Sequence, residues 1–371
     1  MAVPRITSPH DPALTALCTS LREQAATLDQ PSAWPAQQLR QCGQAGVFEW
    51  FVAAEFGGQG WSEADLLRGY VALASACLTT TFVMTQRVGA MQRIAAGNSS
   101  LARERLLPDL LAGRTFATVG ISHLTTSRQH LTRPVLRAVE CSAGQGRGGF
   151  VLDGYSPWVT GAEHAQTIVL GATLDDGRQI LAALPTDLPG VRIDPAPQLL
   201  GLSASRTGPV HLDHVEVPDE WLLAGPIHEV MKQGLGARTG GLQTSALAIG
   251  LASAAIAFLE TQAGARDELT EPAEALLAER NELLQAMLAL AGDKPLAESP
   301  ACAVTGNDLR RRANSLALRS AQAALAAAKG AGYVAGHPAG RWCREALFFL
   351  VWSCPAPVLQ ANLCELAGIA S

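Results

Sequence analysis

Apolar residues recur at helical spacing through the first hundred positions. Leu14, Leu17, Cys18 and Leu21 follow Asp11-Pro12, a cap and first-turn pair. Ser62 and Asp65 form a capping-box pattern ahead of Leu66, Leu67, Tyr70, Val71 and Leu73. Further helices are expected over about Thr80 to Ala96 and Leu101 to Leu111, the latter closed by Gly113. From about Thr115 to Leu223 the pattern changes to short β-branched or apolar runs between glycines and prolines, such as Phe150-Val-Leu and Thr167-Ile-Val-Leu. Asp175-Asp176-Gly177 separates two runs as a hairpin turn would. Helical periodicity returns from about Ile227. It predicts helices over Ala246 to Glu260 and Glu271 to Leu290, then an Ala-rich helix opened by Thr305 and Asp308 and ending at Lys329 and Gly330. The pattern predicts a multi-domain α+β chain: an N-terminal helical domain (1–114), a middle β-barrel (115–225) and a C-terminal helical bundle (226–371).

The chain has 371 residues, enough for two or three cooperating units. Hydrophobic residues make up 48% and charged residues 16%, so much surface must be hidden in a large core or between subunits. A net charge of -5 and the absence of a basic stripe argue against a nucleic-acid partner. Arg310, Arg311 and Arg312 are the densest basic cluster and are expected to be a solvated helix face. The apolar run Ala246 to Leu259 is short for a bilayer and rich in small residues, so a buried helix and no membrane contact are expected. The N-terminus has no signal-peptide pattern. The eight cysteines are scattered without CxxC or Cys/His metal spacing, as in a reducing cytoplasm, and no metal is expected. Gly144-Gln-Gly-Arg-Gly-Gly opens a strand instead of a helix, so it is no dinucleotide fingerprint.

Several strings, in order from about Gly43 to Gln360, resemble the acyl-CoA dehydrogenase family. Phe56-Gly57-Gly58-Gln59-Gly60 is similar to a family loop, and Leu107-Pro108 to Gly113 to the segment entering the barrel. Phe150 to Gly154 followed by Trp158-Val159-Thr160-Gly161-Ala162 resembles the strand pair that carries the flavin-contacting tryptophan and threonine. Leu200-Gly201, Ser205, Thr207 and Leu212 to Pro218 resemble the exit from the barrel. The resemblance implies FAD, with FMN as the alternative: Trp158 walls the ring and Thr160 hydrogen-bonds its N5 region. Ile121 and Ser122 stand where a threonine of a Thr-Glu-Pro string meets the flavin, with Ser127 near a Gly-Ser-Asp position. Arg266, followed by Leu269, Thr270 and Pro272, matches an arginine that binds a neighbouring subunit's FAD pyrophosphate. Gly330, Gly332 and Tyr333 resemble a turn approaching that partner's cofactor.

The family's base is the exception. After Pro338, Arg341, Arg344 and Glu345, its glutamate position falls on Ser353, beside Cys354, and the alternative position on Ala237 ahead of Arg238. Neither is an acid. A serine has no basicity unaided, Cys354 is expected to be a small buried residue, and Glu345 a structural partner of nearby arginines. Three functions remain open. One is α,β-dehydrogenation of a small-molecule acyl thioester such as acyl-CoA, the second a flavin-dependent monooxygenase with a reductase partner, the third a non-catalytic subunit. The resemblance also implies a homodimer or homotetramer.

Overall fold

The computed structural model describes residues 4–125, 133–141, 148–233, 241–292 and 304–369. Five helices open the chain: α1 (Pro12–Gln24), α2 (Ala36–Gln44), α3 (Glu63–Ala76), α4 (Leu78–Ala96) and α5 (Ser100–Leu111). The starts of α1, α3 and α5 are set by short polar side chains that accept otherwise unpaired N–H groups. Asp11 accepts from Ala13 N at 2.9 Å, Ser62 from Asp65 N at 3.2 Å and Ser99 from Ala102 N at 2.9 Å.

The middle of the chain contains β1 (Ala117–Gly120), the short α6 (Ser122–Thr125), β2 (Leu136–Cys141), β3 (Gly149–Thr160), β4 (Thr167–Thr173), β5 (Gln179–Pro185), β6 (Val191–Ile193), β7 (Thr207–Pro218) and β8 (Leu222–Ile227). They form one eight-stranded sheet in the order β6-β7-β3-β2-β4-β5-β8, with β1 pairing β4 in parallel. Among the described residues no backbone ladder joins the outer strands β6 and β8, so the barrel expected from strand spacing is open there. Gly177, with φ of 84°, turns β4 back into β5.

The chain closes with α7 (Leu242–Ala263), α8 (Thr270–Leu290), α9 (Gly306–Gly332), α10 (Pro338–Ala346) and α11 (Ala356–Leu366). The Thr305–Asp308 capping box forms as expected. Helix α7 meets the length and apolarity of a membrane span, and 67% of its apolar window is buried within the fold. Its small residues explain the burial. A Cβ on Gly250 would sit 2.6 Å from Ala74 Cβ and 2.8 Å from Val71 O, so α7 and α3 cross at a separation only glycine allows. Leu73 of α3, Leu247 of α7 and Leu316 of α9 are almost fully buried on helices that pack in series, α3 on α7 and α7 on α9; burying each such side chain contributes about 2 kcal/mol. The apolar core runs through all three parts without a break. Gly201 lets the sheet meet α10: a Cβ there would lie 2.7 Å from Arg344 O.

Candidate functional site

The site begins at an irregularity in β3. Its pairing with β7 slips between Ser156 and Val159, leaving Pro157 and Trp158 out of register. A β-bulge re-aims a side chain, and Trp158 is 50% exposed although Val159 and Thr160 beside it are buried. Thr160 Oγ1 lies 2.9 Å from Thr207 Oγ1, which lies 2.8 Å from Ser205 Oγ. Three hydroxyl hydrogens serve two bonds in this row. When the row donates from Ser205 toward Thr160, the third is left at Thr160 to donate outward. The strand end is held by Gly161, at φ of 65°. A Cβ there would meet the Trp34 ring at 2.5 Å. Trp34 in turn stacks on His164 at 4.2 Å, which ties the helical part to the flank of the site.

The end of β1 supplies a second edge. Ile121 is buried, and the short α6 that follows packs on β3. Ser122 Oγ is closed to solvent and has no partner among the described residues. His123 Nε2 lies 2.7 Å from Gly171 O. A carbonyl only accepts, so Nε2 carries the hydrogen and Nδ1 is a bare lone pair. That Nδ1 is also buried without a partner. Burial pushes the imidazole pKa below its usual value, against the bond to Gly171, so the ring is neutral. In the sequence, His123 stands where the resembled Thr-Glu-Pro string has its acid. The structure turns it into an unpaired buried base beside Ser122.

A third group lies around Ser353. Phe82 of α4, Phe348 and Trp352 form an aromatic cluster with centroids 4.7 to 5.2 Å apart. Ser353, next to it, is half-buried with φ of 46°. Cys354 is half-buried, and burial raises its thiol pKa more than Arg310 lowers it, so it is a thiol. Glu345 is buried and accepts from Thr79 Oγ1 at 3.1 Å. Burial pushes its carboxyl up to about 7, opposed chiefly by Arg341. Helix α4 passes all three groups, touching β1, the Ser203–Ser205 turn and the Phe348–Trp352 cluster. Ala237, Arg238 and Ser127 lie outside the described residues.

The arginine cluster requires a correction. Arg310 is 4% exposed, not solvated, because α9 turns it inward under Phe349 and Trp352. Arg311 and Arg312 do line an open groove of about 410 Å³ between α8, α9 and α11, where Arg312 pairs with Glu282 and Arg319 with Glu279. Asp153, Asp213 and His214 bring three potential metal-binding atoms within 4.8 Å of one another on an exposed edge, where they pair with each other.

The remaining candidates stand apart. Arg266 donates to Gln262 Oε1 at 3.0 Å and Ala327 O at 2.8 Å, so part of its fork is spent on its own bundle. A Cβ on Gly330 would meet nothing, whereas one on Gly332 would meet Ala328 Cβ at 2.7 Å. Gly332 is therefore fixed by packing and Gly330 faces open space. Lys329 breaks the helix here at φ of 53°. This end of α9 lies about 30 Å along the helix from Arg310. Within one chain it does not share a small ligand with Ser353.

Residues 13–114 match the acyl-CoA dehydrogenase N-terminal domain. The chain is 27% identical over 267 residues to the probable acyl-CoA dehydrogenase YngJ of Bacillus subtilis, covering 67% of this chain and 65% of that protein. It thus spans just under two thirds of that relative's length. The structure resembles butyryl-CoA dehydrogenase of Megasphaera elsdenii with a TM-score of 0.78 at 16% identity, over 95% of this chain and 97% of that one. It also resembles KijD3 in complex with FMN and a dTDP-linked amino sugar, with a TM-score of 0.70 at 21% identity over 99% and 97% of the two chains. At such identities the solved structures establish the fold alone.

Proposed function

We propose, from the premise that this chain belongs to the acyl-CoA dehydrogenase family, that it is an FAD-dependent oxidoreductase acting on an acyl thioester. The observation that carries the reading is the half-exposed Trp158 at a bulge, flanked by the Thr160 hydroxyl row and the unpaired Ser122 Oγ. A flat ring system with polar edges fits that set. The indole offers an apolar wall, and two hydroxyls offer bonds that the chain itself leaves unmade. Trp158, Thr160, Ser122 and Ile121 would hold the cofactor, with Arg266 and Gly330 meeting the FAD of a partner subunit in a homo-oligomer. Bound FAD supplies a two-electron acceptor for the hydride leaving the β carbon.

The proton from the α carbon must go to a base, and Ser353 provides none. His123 Nδ1 is an unpaired basic atom on the residue next to Ser122, where the edge of the cofactor would lie. We assign it the proton-accepting role. An electron-transfer protein would then reoxidise the reduced enzyme.

Absence of an acid at Ser353 favours a second reading, a monooxygenase on the same fold, because fold does not fix reaction. Anaerobic mixing of the FAD-loaded protein with a panel of acyl-CoA esters separates them. Bleaching by a thioester, lost in His123→Ala with FAD still bound, supports dehydrogenation. Product formation that needs oxygen and reduced flavin supports the second reading. A colourless protein that cannot be reconstituted with FAD defeats both.

A further inference from the structure

Beside Ser353 lies a charge for which the proposed chemistry has no use. The Nη2 of Arg310 donates to Trp352 O at 3.0 Å, which sets the guanidinium against the peptide joining Trp352 to Ser353. Among the described residues no acceptor reaches Nε or Nη1, although both are closed to solvent. Three N–H groups of a buried cation are therefore unspent. One turn further along α9, the buried Asn314 donates to Phe349 O at 3.1 Å, and its Oδ1 has no partner. A buried cation without a counter-charge is costly, and folded chains keep one where something pairs with it.

What covers the guanidinium is a loop of half-buried residues, Trp352 to Cys354, with Ser353 in the left-handed region that residues other than glycine rarely adopt. Strain at the half-buried Ser353 and an unpaired cation beneath it point to the same place. Where the family resemblance expects a negative side chain, this chain has a neutral residue above a positive one. A substrate or solute that brings its own negative charge would fill the gap.

We propose that Arg310 and the Trp352–Cys354 loop form a recognition site for a carboxylate, carried on the far end of the substrate's acyl chain or by a free small acid. The thioester arm rests on the proposed function; the free-acid arm does not. A guanidinium is suited to the task, because it stays charged when buried and its planar donors match carboxylate oxygens.

Calorimetric titration of the FAD-loaded protein with glutaryl-CoA and with valeryl-CoA, equal in chain length but lacking the terminal acid, tests this. The wild type is expected to bind glutaryl-CoA about tenfold more tightly or better, and Arg310→Met to bring the ratio to about one. Sodium glutarate that raises the melting temperature of the wild type but not of Arg310→Met, without preference between the thioesters, assigns the site to a free acid. Ser353→Asp offers the guanidinium an internal carboxylate, and aspartate tolerates the left-handed backbone. That variant is expected to melt higher and to lose both responses. It decides the matter if Arg310→Met fails to fold. Equal binding of the two thioesters with no response to glutarate overturns the proposal, leaving Arg310 to be satisfied by buried water. Responses that survive in Arg310→Met, or in Ser353→Asp with an unchanged melting temperature, overturn it as well. Flavin bleaching by valeryl-CoA without an acid preference sinks this inference alone. Tight glutaryl-CoA binding without bleaching sinks the dehydrogenase reading alone.

Discussion

Glu345 sits where the N-terminal helices, the sheet and the bundle meet, and its replacement by glutamine tests how that junction is held. The carboxyl accepts from Thr79 of α4, and the backbone at Glu345 N packs against Gly201. Burial raises its pKa from 4.5 to about 7, more than Arg341 and the Thr79 bond lower it. The native state therefore holds this proton more tightly than the unfolded chain. Below pH 4.5 both states are protonated and nothing is lost. As pH rises toward 7 the unfolded chain ionises first and stability falls; above 7 the full cost, about 3 kcal/mol, is in place. Glu345→Gln keeps an acceptor for Thr79 and removes the titration. Its new contacts with Arg341 add an offset that does not vary with the charge on residue 345. The stability difference between variant and wild type should therefore grow in the variant's favour by about 3 kcal/mol from pH 4.5 to 8. For a chain of this length that is a change of about 4 °C in the difference between melting temperatures. Melts of both proteins across that range, in matched salt, measure it. A flat difference, or one that moves against the variant, would show that Arg341 and Arg344 outweigh burial and that the carboxyl ionises in its ordinary range.

Four further outcomes follow from the geometry. Trp158→Ala should weaken FAD binding by roughly tenfold with little change in the melting temperature of the flavin-free protein; a large drop in that temperature with unaltered FAD affinity would make the indole structural instead. Gly201→Ala should destabilise the fold by about 1–3 kcal/mol, because the new methyl meets the Arg344 backbone; denaturant titration reads it. Thr305→Ala removes the capping box of α9 and should cost about 1 kcal/mol, while Thr305→Ser should restore most of it. His123 should titrate below its ordinary pH in an NMR experiment. Since the unfolded imidazole takes a proton first, its contribution to stability is present above pH 6.5 and lost as pH falls through the lower folded value.

Sequence alone determined the order of the three parts. Helical and strand periodicities arise from which side chains share a face, and caps such as Asp11, Ser62 and Thr305 act on backbone within a few residues. The hairpin at Gly177 and the buried character of α7 were legible for the same reason. Family strings marked Trp158, Thr160 and Ser122 as candidates, and the loss of an acid at Ser353 was visible by counting. What the strings could not carry was the surroundings of each side chain. That Trp158 stands out of its strand depends on a slip in pairing with β7, fifty residues away. The unpaired nitrogen of His123 depends on Gly171 of β4, which leaves only its other nitrogen bonded. Periodicity within α9 sends adjacent residues in different directions but does not say which direction meets a neighbour. Packing against Phe349 and Trp352 made Arg310 the buried member of its triplet. Burial and hydrogen-bond satisfaction are set by contacts between distant segments, so they were decided only when the chain closed on itself.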